Sequence, residues 1–163
     1  MTSLESIQQL IAPEFKALNE RITSSLTTTN QLLNQVVETY LKTKGKQIRP
    51  ILVMLSARLL GNGTINDDVI SAAAGVEMLH NASLIHDDVV DDTKLRRDRP
   101  TINSIWDNHI AVLVGDFFVS TALQQAILTD DIRIIKTLSN LGKTLSLGEI
   151  DQIYTAQNHV LSE

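Results

Sequence analysis

Cysteine is absent from the 163 residues. That excludes disulfides, thiolate metal sites and a cysteine nucleophile, and it fits a reducing compartment, with the cytoplasm as the expected location. Three Pro and seven Gly leave few places where a helix is interrupted, and one Trp, two Tyr and three Phe are too few aromatics for a β-sandwich core. At 43% hydrophobic and 20% charged residues the chain is too apolar for disorder and too charged for a membrane-embedded protein. Its formal charge of −5 provides no global attraction to nucleic acid or anionic lipid, so any anion must be bound locally. The amino terminus has no apolar signal core, and Asp116 interrupts the later apolar stretch, so no targeting or membrane-spanning segment is expected. What remains is one modest helical domain over residues 1–163.

Leu4, Ile7, Leu10, Ile11, Phe15, Leu18 and Ile22 follow steps of three and four, which predicts an amphipathic helix from Leu4 to Leu26 whose start Pro13 can shift. Thr27 to Asn30 break it. Leu32, Leu33, Val36, Val37, Tyr40 and Leu41 resume the period, giving a helical hairpin stopped by Gly45. Pro50 suits the first turn of a third helix closed by Gly61. Asp67 is placed to cap a buried central helix running through Ala72, Val76, Leu79 and Leu84 into the acidic stretch DDVVDD. Thr93 to Pro100 is polar and basic and reads as a loop. Apolar periodicity returns over Ile102 to Ile127, and Asp130 is placed to cap a last helix or pair. There is no repeat and no alternating strand pattern.

Asp87, Asp88, Asp91 and Asp92 put four carboxylates into six consecutive residues. Their i,i+4 spacing pairs Asp87 with Asp91 and Asp88 with Asp92 on adjoining helix faces. At roughly 6 Å and an effective dielectric of about 20, each like-charge pair costs on the order of 3 kcal/mol, so a positive group is expected there. Oxygen ligands without cysteine favour Mg²⁺, an ion shared between one or two carboxylates and substrate phosphates. A solvated acidic helix end is the plainer reading of any one such pair. Lys94, Arg96, Arg97 and Arg99 follow closely. Guanidinium groups suit diphosphate oxygens, and the alternative is mutual neutralisation of loop and helix. In the run GKQIRP, Gly45 frees the backbone while Lys46 and Arg49 project at a helix start fixed by Pro50. This run suits a second phosphate group or, alternatively, a basic cap on the preceding helix.

In order and spacing GKQIRP, LIHDDVVDD, LRRDRPTIN, AVLVGD and LGEIDQ resemble the trans-polyprenyl diphosphate synthases over roughly residues 45–152. The resemblance implies an all-α antiparallel bundle of the isoprenoid synthase type and head-to-tail, Mg²⁺-dependent condensation of isopentenyl diphosphate with an allylic diphosphate in isoprenoid, such as quinone side-chain, biosynthesis. It implies Asp87, Asp88 and Asp91 as metal ligands, Arg96 on the allylic diphosphate, and Lys46, Arg49, His80 and Arg97 on isopentenyl diphosphate. By itself a histidine on an apolar helix is ordinarily a core residue, and the resemblance is what favours a binding role for His80. It implies a homodimer, with no stable membrane insertion and no nucleic acid. Ser83 and Ala82, about 6 to 7.5 Å before Asp87 along the helix, are small where family members with short products carry bulk, which implies a medium or long chain. His86, Asp92, Glu149 and Gln152 receive no role.

A complete member resembles roughly twice this length and carries a second aspartate-rich motif that is absent here; Asp130 and Asp131 read as a helix start. The chain is therefore expected to be the amino-terminal half of such a synthase, binding diphosphate weakly and inactive alone. A non-catalytic partner subunit of a prenyltransferase and a fragment of a class I terpene cyclase are the alternatives. The GKQIRP and LRRDRP elements, needed for a second diphosphate, speak against the cyclase.

Overall fold

The computed structural model describes residues 3–43 and 45–160. Lys44, within the basic stretch, lies outside them. The described residues form α1 (Ser3–Leu10), α2 (Ala12–Leu26), α3 (Gln31–Leu41), α4 (Ile48–Leu60), α5 (Asp67–Val90), a hairpin of β1 (Leu95–Arg96) and β2 (Arg99–Pro100), then α6 (Ile102–Ile105), α7 (Asn108–Leu128) and α8 (Ile132–Val160). The fold is all-α, as expected.

The first predicted helix is divided at Ile11, because Pro13 occupies the second position of α2 and a proline is tolerated only in a helix's first turn. Leu18, Ile22 and Leu26, spaced by four, are buried, and α2 packs chiefly on α5 rather than along α3 as a hairpin would. Its connector to α3 is extended at Thr27 and Asn30 and is braced by Asn34, whose amide accepts from Thr28 N–H (2.9 Å) and donates to Thr28 C=O (2.7 Å). Asn30 caps α3, accepting from Leu33 N–H. That helix stops at Leu41, short of Gly45. In α4 Pro50 falls in the first turn, where its missing N–H has no partner to lose, and Gly61 is the C-cap.

The 24-residue α5 is the central element, packed most extensively on α7 and then on α4 and α2. Its cap is Asn66, which accepts from Val69 N–H, one residue before the expected Asp67. Asp67 instead pairs with Arg21, which also donates to Ser71 Oγ (2.6 Å) and pins α2 to the start of α5. Small residues let its neighbours come close. A side chain on buried Gly75 would lie 3.2 Å from the Ala122 carbonyl on α7 and 3.2 Å from Leu138 on α8.

The apolar stretch after residue 102 is two helices, because Trp106 leaves helical geometry and Asp107 caps α7, accepting from Ile110 N–H. Despite Asp116, α7 is long and apolar enough to cross a membrane by length and composition; here Ala111, Val114, Phe118, Ala122 and Ala126 are buried. Asp131, not Asp130, holds the start of α8, its backbone carbonyl accepting from the Ile134 and Ile135 N–H groups. The last helix is single and 29 residues long, and its side chains from Lys143 to Asn158 are exposed, including Leu145, Leu147, Ile150, Ile153 and Tyr154.

Candidate functional site

The site gathers at the carboxyl end of α5. The helix ends at Val90, Asp91 is its C-cap, and Asp92 turns left-handed at φ 50°. The expected stacking of Asp88 on Asp92 is therefore not formed. Asp92 pairs with Lys94. Asp88, only 6% exposed at its side chain, receives Arg96 through Nε (2.9 Å) and Nη2 (2.7 Å) on one oxygen. Its carbonyl accepts from Thr93 N–H (2.9 Å) and from the Asn103 side-chain amide (3.2 Å).

Arg96 is delivered by the hairpin that stands where a loop was expected. Leu95 pairs with Pro100 and Arg96 with Arg99, and both turn residues, Arg97 at φ 54° and Asp98 at φ 61°, are left-handed. Such turns match the twist of flanking strands but cost a non-glycine residue about 1 kcal/mol each. The fold sustains that cost where Arg96 closes on Asp88.

Among the described residues Asp87 and Asp91 have no basic partner within ion-pair distance, and Asp91 is exposed. The Asp87 carboxyl is pushed above the ordinary carboxylate range by burial first, then by Glu149 on α8 and by Asp91. Glu149 thus shares the cleft with Asp87, while Gln152 is exposed farther along α8. No three acidic or histidine groups among the described residues converge to enclose a metal by themselves. Two carboxylates lacking a counter-charge are the donor set for a hard cation that fills its remaining positions with water and phosphate oxygens.

A second feature lies beside the first. Lys46, Gln47, Arg49, His80, Asn81 and Arg97 line a cavity of about 480 Å³ with Gly45, Ile48 and Glu77. The residues expected to serve one anion are therefore brought together from the start of α4, the middle of α5 and the hairpin turn. Gly45 leaves room for Arg97, whose guanidinium occupies the space a side chain would take and would have to move for one. Arg49 Nη1 lies 3.0 Å from His80 Nε2. A guanidinium only donates, so Nε2 accepts and His80 is neutral. Burial and then Arg49 bring its pKa down to about 4. His80 orients Arg49 and adds no charge.

Behind the Asp88–Arg96 pair, Tyr40, Leu41, Asn81, Leu84 and Trp106 line a smaller cavity of about 180 Å³. Tyr40 donates to Asn81 Oδ1 (3.1 Å) and meets Phe118 edge-on at 5.6 Å. Burial, then the charge of Asp88, raises its phenol above the ordinary value. In the sequence Tyr40 stands only as an apolar helix position and Asn81 is given no place, although Asn81 lies seven residues before Asp88 on the same helix face.

Of the chain-length positions, Ala82 is fully buried in the core and Ser83 is half-buried, its hydroxyl donating to the His80 carbonyl (2.8 Å). Met78 and Phe118 are core residues, and Leu79 approaches Gly142 on α8. His86 is turned to α7, not to the cleft, with Nε2 3.2 Å from the Val112 carbonyl and 3.3 Å from Asp116.

Comparison with known proteins places the chain in a family. The octaprenyl diphosphate synthase of Haemophilus influenzae is 34% identical over 163 residues, all of this chain and 49% of that protein. A decaprenyl diphosphate synthase from Rhodobacter capsulatus has the same fold at a TM-score of 0.87 and 34% identity, over 93% of this chain and 46% of the other. A polyprenyl synthase from Caulobacter crescentus, complexed with calcium and isoprenyl diphosphate, gives 0.87 at 30% identity over 93% and 45%. The chain spans about half the length of these relatives. The sequence profile described as Polyprenyl synthetase matches residues 30–163, a span that takes in the basic start of α4, the aspartates ending α5, the arginine hairpin and Glu149. The chain therefore belongs to the polyprenyl synthetase family.

Proposed function

We propose that this chain carries the first half of the active site of a polyprenyl diphosphate synthase, which joins isopentenyl diphosphate to an allylic diphosphate. The observation that carries the reading is the division of labour at the end of α5. Asp87 and Asp91 are left without cationic partners among the described residues, and a cavity lined by Lys46, Arg49 and Arg97 shares Asn81 and Arg97 with the one lined by Asp88 and Arg96. Condensation breaks the allylic carbon–oxygen bond, and the electron pair leaves with the diphosphate. The isopentenyl alkene then attacks the carbocation, and the tertiary cation so formed loses a proton to leave a new double bond, so the barrier lies in charge separation and fixed charges lower it. Magnesium, when bound, supplies positive charge to the departing oxygens. Asp87 and Asp91 would hold it; a relative of the same fold is complexed with calcium, another hard divalent cation, and isoprenyl diphosphate.

Asp88 meets Arg96 through one oxygen only, so in this reading it holds Arg96 toward the allylic diphosphate while its second oxygen joins Asp87 and Asp91 as a metal ligand. Lys46, Arg49 and Arg97 take the isopentenyl diphosphate, with His80 fixing Arg49. Small Ala82 and Ser83 favour a long product, in keeping with relatives named for octaprenyl and decaprenyl diphosphate. The exposed apolar residues of α8 favour assembly, either in a homodimer or with a separate catalytic chain, in which case this chain is a partner subunit.

The test is calorimetric titration with magnesium and inorganic pyrophosphate. The chain is expected to bind, and Asp87→Asn with Asp91→Asn to abolish the magnesium-dependent part. No heat from the unsubstituted chain overturns the reading.

A further inference from the structure

The carboxyl end of α5 is a poor helix terminus by composition. Its last turn contains no basic residue, and Asp87, Asp88 and Asp91 place negative charge at the negative end of the helix dipole. Repulsion from Glu149 adds to this. A turn built this way frays unless something outside it holds it. Asp88 is held on one side by Arg96 and Asn103. The side adjoining Asp87 is held by His86.

The His86 ring sits against α7 with Nε2 3.2 Å from the Val112 carbonyl and 3.3 Å from an Asp116 carboxylate oxygen. Both partners are acceptors, so Nε2 carries the hydrogen and donates. The ring fits only because residue 115 is glycine, since a side chain there would overlap the imidazole. Gly115 is buried inside α7 and is not among the residues of positive φ. Backbone conformation therefore gives no reason for a glycine that costs the helix about 1 kcal/mol relative to alanine. The notch for His86 gives the reason.

We propose that His86, seated in the Gly115 notch, is a positioning residue for the aspartate cluster, locking the last turn of α5 to α7 so that Asp87 is presented to the cleft. This rests on the reading of Asp87 and Asp91 as a metal–diphosphate site.

Amide hydrogen exchange on the chain tests the lock without any ligand. His86→Ala and Gly115→Ala are expected to speed exchange of the Val90 and Asp91 amides roughly tenfold, while Ala74 and Met78 stay within about twofold. His86→Gln is expected to keep the wild-type rates, because its amide nitrogen stands as many bonds from Cα as Nε2 does. His86→Asn, one bond shorter, is expected to behave as alanine. Titration with magnesium and pyrophosphate should follow the same order, with affinity lowered roughly tenfold in the Ala and Asn variants and restored in Gln. Unchanged or uniformly faster exchange along α5 in His86→Ala, or a Gln variant no better than Ala, overturns the lock. A frayed turn that binds magnesium pyrophosphate normally removes the positioning role. Absence of binding by the unsubstituted chain sinks the reading of the site, and the exchange rates then decide the lock separately.

Discussion

Arg96 reaches back eight residues to place Nε and Nη2 at 2.9 and 2.7 Å from one oxygen of Asp88, a carboxylate 6% exposed. The hydrogen bond to Asp88 raises the guanidinium pKa above its ordinary value. The pair thus neutralises one charge of the cluster and sets the direction of one cation.

Arg96→Ala leaves the Asp88 charge buried without compensation. The expected loss is about 2 kcal/mol, below the ~3–5 typical of fully buried pairs because the guanidinium is partly exposed. Thermal denaturation followed by circular dichroism reads it as a fall in Tm of about 4–8 °C. Adding Asp88→Asn should return part of that loss, and an Arg96→Ala chain melting like wild type would show that the pair is not structural.

Asp87→Asn is expected to do the opposite to stability. Its carboxyl is raised by burial, Glu149 and Asp91, so the charged form is unfavourable in the folded chain. That penalty is complete above the folded pKa and disappears as pH falls through it toward the lower unfolded one. The amide removes it, for a gain of about 0.5 kcal/mol after solvent screening, while magnesium-dependent pyrophosphate binding is lost. A less stable variant would contradict the electrostatic account.

His80 has its pKa lowered to about 4, against about 6.5 in an unfolded chain. Between these values the unfolded chain binds the proton first. The contribution of neutral His80 is therefore complete above about pH 6.5 and is lost as pH falls toward 4. Urea denaturation at pH 7 and pH 5 should show wild type losing about 1 kcal/mol more than His80→Gln. Equal losses would place the titration elsewhere.

Gly45→Ala introduces a methyl group into the space held by the Arg97 guanidinium. It is expected to weaken magnesium-free pyrophosphate binding several-fold, roughly as Arg97→Ala does, with little change in Tm. Because both changes act on one cation, the double variant should be no weaker than either alone; additive losses would mean that Gly45 acts through another group.

The helices were legible because their causes are local. Steps of three and four, Asn30 before an apolar run, Pro50 at a start and Gly61 at an end act within a few residues of the positions they determine. The caps at Asn66 and Asp131 fell within one residue of the expected places for the same reason, whereas the division at Ile11 of what was expected as one helix was not foreseen, although Pro13 is its local cause. The hairpin was not legible, since strands of two residues show no alternation and its turn is formed by Arg97 and Asp98, not glycine. The acidic cluster could be read as a charge that needs an opposite charge. Which acids find one inside the chain depended on where α5 stops, on a hairpin returning Arg96 to Asp88, and on a glycine of α7 that admits His86. Helical periodicity determines which side chains share a face; only packing brings groups distant in the chain within hydrogen-bonding range, and that range decides which charges are already neutralised and which remain for a ligand.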